Sequence, residues 1–141
     1  MEFTVSNATY VRAAGLVAAL VLVSSFFIPV AETISGYQAF LLSFQSWGSA
    51  GDWELGALPI VLSWLANLGA VFGLMAIFSR GTARPWMRRL SLLGLLSLGP
   101  LLVDAEDLLA GYYVWTISIV VITALALFTK AVIQTEWVAS N

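Results

Sequence analysis

The sequence predicts an all-α membrane protein. The expected fold is a four-transmembrane-helix bundle with both termini cytoplasmic and an amphipathic interfacial helix in the first outer loop. Three observations predict it. Of the 141 residues, 60% are hydrophobic and 10% charged, with mean hydropathy +0.93, whereas a soluble domain carries roughly a quarter charged residues. That apolar excess points to lipid as the solvent. Apolar runs recur along the chain, most of them near the ~20 residues that cross ~30 Å of hydrocarbon. Finally, acids and bases separate into alternate connecting segments.

Met1 to Thr9 is short and polar, and Tyr10 and Arg12 mark an interface. Val11 to Val30 is the first expected span. A cleavable leader is the competing reading, but the apolar region is too long and Pro29-Val30-Ala31 makes a poor small-x-small cleavage site. Ala31 to Gly56 is expected as a loop with three acids, Glu32, Asp52 and Glu54, and no base. Within it Tyr37, Phe40, Leu41, Phe44 and Trp47 recur at helical spacing, with Gln38, Gln45 and Ser46 opposite. That segment is too short to span and predicts a helix lying in the membrane interface. Gly48-Ser-Ala-Gly51 ends it.

Ala57 to Phe78 is the second span, with Pro59 in its first turn, where a missing N–H costs little. The segment Arg80-Gly-Thr-Ala-Arg84-Pro-Trp-Met-Arg88-Arg89 follows and holds four of the six basic residues. Trp86 to about Val103 is the third span, interrupted near its end by Gly99-Pro100. The acidic turn Asp104-Ala-Glu106-Asp107 precedes the fourth span, Tyr112 to Ile133. All 141 residues read as one membrane domain with spans of about 11–30, 57–78, 86–103 and 112–133.

In this arrangement the two termini and the middle loop hold all six bases and two acids, Glu2 and Glu136, while the first and third loops hold six acids and no base. Basic segments stay cytoplasmic, which puts both termini inside. Trp47, Trp53 and Trp115 then fall near the outer interface, and Trp86 and Trp137 near the inner one.

Composition also removes chemistry. With no Cys and no His, the chain has no disulfide, thiolate or imidazole ligand, and no Ser-His or Cys-His pair. No deep ionisable residue lies in any span, which argues against a proton-coupled transporter. No cofactor, no metal, no nucleic acid and no catalytic residue is expected.

The candidate functional residues fall into three groups. Small residues line the second span, with Gly69 and Gly73 spaced as Gly-x-x-x-Gly; they serve either bundle packing or docking of another helix. Asn67 lies near mid-span, where an amide facing lipid is costly. Thr123 or Ser97 is its expected partner, and a ligand contact is the alternative role. Arg80, Arg84, Arg88 and Arg89 hold their loop inside, or meet lipid headgroups or a partner protein. Asp104, Glu106 and Asp107 form an outer acidic surface, or join other outer acids around a hard cation.

Two places share one pattern: Glu32-Thr-Ile-Ser-Gly36-Tyr37 and Asp107-Leu-Leu-Ala-Gly111-Tyr112 both read acid-x-x-x-Gly-Tyr. A duplicated hairpin and coincidence both account for so short a match. Ile34-Ser-Gly36-Tyr37-Gln-Ala39, Trp64-Leu-Ala-Asn67 and Gly111-Tyr112-Tyr113-Val-Trp115 resemble a pattern in small uncharacterised bacterial four-helix integral membrane proteins. The resemblance implies a bacterial inner (cytoplasmic) membrane protein of four helices and implies no activity. The expected function is a non-enzymatic accessory or scaffold subunit, bound to membrane lipids and to a larger membrane complex or its own copies. A small oligomeric transporter or channel is the alternative, and a lipid-facing enzyme using the outer carboxylates the third.

Overall fold

The computed structural model describes residues 7–31, 34–41, 62, 64–79, 84–102 and 109–139. These are mostly helical. Helix α1 (Asn7–Ser25) is followed by a short antiparallel hairpin, β1 (Pro29–Ala31) and β2 (Ile34–Ser35), with Pro29 opposite Ser35 and Ala31 opposite Ile34. Residues 36–41 are helical. Helix α2 (Leu65–Phe78), helix α3 (Arg84–Ser91), the 3-10 segment Leu92–Leu98, a short 3-10 turn Pro100–Leu102 and helix α4 (Ala110–Ala139) complete the order.

The packing registers fix how the helices run. A Cβ added to Gly69 would fall against Leu93 and Gly94, and one added to Gly73 would lie 3.5 Å from Ser91 Cβ. Rising numbers on α2 therefore meet falling numbers on α3 and its 3-10 extension. By the same logic Ser97 meets Tyr112 and Thr116 while Ser91 meets Thr123, so this segment also runs against α4. Gly15 midway along α1 faces Ile77 and Phe78 at the end of α2, and the start of α4 at Gly111 meets Ile28 and Pro29 just past the end of α1. Successive long segments are thus antiparallel. The starts of α1 and α3 share one end with the close of α2.

The core is built from small and medium side chains: Ala18, Leu22, Ala66, Ala70, Ala76, Ile77, Ile119, Ile122 and Ala126. Among the described residues six serines and threonines are buried with them, including Ser91, Ser97 and Thr123. The outer faces are apolar, aliphatic with some aromatic residues. Leu16, Leu20, Val23, Ile117 and Phe128 each expose more than half their surface. This inverts the usual soluble arrangement, in which buried hydroxyls and contiguous exposed apolar faces are both uncommon.

One described helical stretch, Ala110–Phe128, is both long and apolar enough to cross a membrane, with 19 residues and hydropathy 1.9. Thr9–Ser25 and Leu65–Phe78 are apolar but shorter.

The elements depart from expectation in three places. Helix α1 ends at Ser25 rather than running to Val30. The chain turns there through bonds from Phe26, Phe27 and Ile28 N–H to the carbonyls of Val23, Ser24 and Ser25, which leaves Pro29 free to open a strand, a position that asks nothing of its missing N–H. The hairpin occupies part of the expected loop. Third, the α geometry of the third segment gives way at Leu92, well before Gly99. Pro100 supplies a reason: it has no N–H for the Leu96 carbonyl four residues back, and Gly99 N–H bonds that carbonyl instead, at 3.0 Å, in the tighter i→i+3 register. The expected interfacial helix Tyr37 to Trp47 falls partly on the helical residues 36–41, where Phe40 packs edge-on against Phe26 with centroids 6.0 Å apart. Its remainder lies outside the described residues.

Candidate functional site

Two features stand out: a polar seam between α2, the third segment and α4, and a cluster of arginines at one end.

The seam begins with backbone contact. A side chain on Gly69 would collide with the Leu93–Gly94 peptide itself, and one on Gly94 would strike the Thr123 hydroxyl and Ile119. Glycine at both positions lets the backbones approach, so that short hydroxyl side chains reach across. Thr123 Oγ1 donates to the Ser91 carbonyl at 3.1 Å. The Tyr112 hydroxyl and Thr116 Oγ1 both donate to the Ser97 carbonyl. In the 3-10 register that carbonyl would look to residue 100, which is proline. The two hydroxyls therefore satisfy an acceptor that Pro100 leaves open. The Ser97 Oγ is buried with no hydrogen-bond partner.

Asn67 sits at one side of this seam. Its Nδ2 donates to the Trp64 carbonyl at 3.3 Å and its Oδ1 accepts from Trp115 Nε1 at 3.0 Å. Its interhelical partner is thus Trp115, not Thr123 or Ser97. The register decides this: Trp115 lies one turn before the Ile119–Thr123 stretch that Gly94 faces. Trp115 in turn packs at a tilt against Tyr112, with ring centroids 5.6 Å apart and an interplanar angle of 46°.

At the other end, Arg84 and Arg88 lie one turn apart on α3, on one helix face. The Nε of each is buried and has no hydrogen-bond partner. Burial pulls the Arg84 pKa below its ordinary value, and the charges of Arg88 and Arg12 push it the same way. Arg12, from α1, is therefore close enough to be felt, and it was not among the arginines singled out from sequence. Its signal there was position alone, the first base before an apolar run. Arg89 points elsewhere: its guanidinium carbon lies 5.2 Å from the ring centroid of Trp86, which is itself exposed. Arg80 lies outside the described residues, as do Asp104, Glu106 and Asp107.

The acid-x-x-x-Gly-Tyr pair acquires a common neighbour. A Cβ on Gly36 would stand 2.6 Å from the Ser25 carbonyl oxygen, and one on Gly111 would stand 2.5 Å from that of Pro29. Both glycines press on the chain that leaves α1. Gly36 N–H bonds Ile28 O at 3.1 Å, Tyr37 N–H bonds Phe26 O at 2.9 Å, and Leu109 N–H bonds Val30 O at 2.9 Å.

No protein-family model, no curated protein and no solved structure matches this chain.

Proposed function

We propose that this chain is a non-enzymatic protein of the cytoplasmic membrane, spanning it four times with both termini inside. It acts as an accessory or scaffold subunit that binds a larger membrane complex or its own copies. One observation carries the reading: aliphatic side chains face outward while hydroxyls and an amide face one another. The outward faces suit lipid tails. The inward polar groups are engaged in holding helices together, as Asn67 is with Trp115 and Thr123 with the Ser91 carbonyl. The separation of six bases from six acids supports the orientation. The Gly-Tyr and Trp-x-x-Asn motifs that resemble small bacterial four-helix membrane proteins fit the same reading.

The test is purification of the tagged full chain from native membranes in mild detergent. A membrane protein retained at fixed stoichiometry, or a defined oligomer of this chain, is expected. A monodisperse monomer with no stoichiometric companion contradicts the scaffold role.

A further inference from the structure

We propose that Arg84 and Arg88, one turn apart on one face of α3, form a binding site for a phosphate group. Its sources are an anionic phospholipid headgroup or a soluble phosphate.

The geometry starts from the two unpartnered Nε atoms. An arginine grips a phosphate side-on, through Nε–H and one Nη–H, in two parallel bonds to two oxygens. Here both Nε–H groups are withdrawn from solvent and unspent, so a small side-chain movement that admits a phosphate oxygen would give each a partner that water does not supply. A buried donor left unmade is penalised, and an acceptor that fits two such donors removes two penalties at once.

Charge points the same way. Arg84 and Arg88 are like charges at i,i+4, an unfavourable spacing on any helix. Arg84 also stands in the first turn of α3, where the helix dipole disfavours a cation. The field of Arg12 adds to this. A phosphate resolves all of these at once. Arg89, stacked on exposed Trp86, flanks the site as an interfacial anchor rather than a ligand.

The lipid source rests on the membrane reading; the phosphate site does not, because a soluble anion tests it without a bilayer. The full chain is purified in a neutral detergent. Thermal melting is followed against added phosphatidylglycerol, phosphatidylcholine or sodium phosphate, the last against sodium chloride at matched ionic strength. A saturable rise in Tm with phosphatidylglycerol and none with phosphatidylcholine is expected. The double variant Arg84→Lys with Arg88→Lys keeps the charges and loses the forks, and its half-saturating concentration should rise about tenfold. Arg89→Lys should leave it unchanged. A saturable rise with phosphate alone, lost in the same double variant, supports the site and assigns it a soluble ligand. A response equal for both lipids, or one that survives the double lysine variant, overturns the proposal. So does a rise in the unsubstituted chain that sodium chloride reproduces at matched ionic strength, because screening then accounts for the effect. Melting of each variant without additive verifies that it folds.

Discussion

Two glycine contacts in this molecule look alike and are held differently. In the seam, Gly69 meets Gly94 between two long helical segments, and side-chain hydroxyls close the gap: Thr123 on the Ser91 carbonyl, Tyr112 and Thr116 on the Ser97 carbonyl. At the far end of α1, Gly36 and Gly111 press on the Ser25–Pro29 turn, and backbone bonds do the closing. The first contact joins regular elements whose N–H groups are largely spent within their own helices, so the donors that reach the Ser91 and Ser97 carbonyls across it come from side chains. The second joins irregular chain, whose free N–H and C=O groups bond each other directly. Glycine serves both because it removes the Cβ. What fills the remaining polar demand depends on whether the backbone is already satisfied.

The contrast breaks most severely at Gly69. A methyl there lands on backbone, not on the tip of a flexible side chain, so Gly69→Ala should cost about 3 kcal/mol of stability in detergent, at the upper end of overpacking effects. Thermal unfolding of the purified variant measures it, and a loss below that of Gly111→Ala would reverse the ranking. Gly111→Ala should cost about 2 kcal/mol, because the Ile28 and Pro29 carbonyls it meets belong to a short turn that yields more easily than two packed helices.

Asn67→Leu comes next. It removes the acceptor for Trp115 Nε1, at about 1 kcal/mol for one interhelical hydrogen bond. A double-mutant cycle with Trp115→Phe sharpens this: the two losses should fail to add. Strict additivity would mean the pair is not coupled.

Much of the helical class was legible from sequence, because long apolar runs with few charges leave little else. The small-residue stripe of α2 was legible for the same reason; Ala66, Gly69, Ala70 and Gly73 are all buried. The 3-10 segment was not. Leu92-Leu-Gly-Leu-Leu-Ser-Leu98 has the composition of an ordinary α-helix, and its register depends on Pro100 downstream and on hydroxyls from another helix. The hairpin was hidden too, since strands of three and two residues are too short to show alternation. Asn67 was visible as an isolated amide, but its partner depended on how α2 and α4 slide past each other, which periodicity does not encode. The Arg12 contribution needed the antiparallel packing that brings the starts of α1 and α3 together.

The smallest expected effect has the opposite sign. Ser97 contributes its carbonyl to the seam, while its hydroxyl is buried without a partner. Ser97→Ala should therefore leave stability unchanged or raise it by roughly 0.5 kcal/mol, since removing an unmet polar group recovers its desolvation penalty. A clear loss in the same melting assay would mean that the Oγ is bonded after all.

The central claim is that lipid covers the aliphatic faces with the arginine end inside. Because the chain contains no Cys, single cysteines report cleanly. Ala110→Cys, at the start of α4, and Thr82→Cys, in the basic segment, are each exposed in intact cells to a membrane-impermeant thiol reagent. Labelling at Ala110→Cys in intact cells, with Thr82→Cys labelled only after permeabilisation, is the predicted result. Labelling of Thr82→Cys in intact cells, with Ala110→Cys protected, would contradict the orientation. Protection of both until lysis, with the chain recovered in the soluble fraction, would contradict the membrane reading itself.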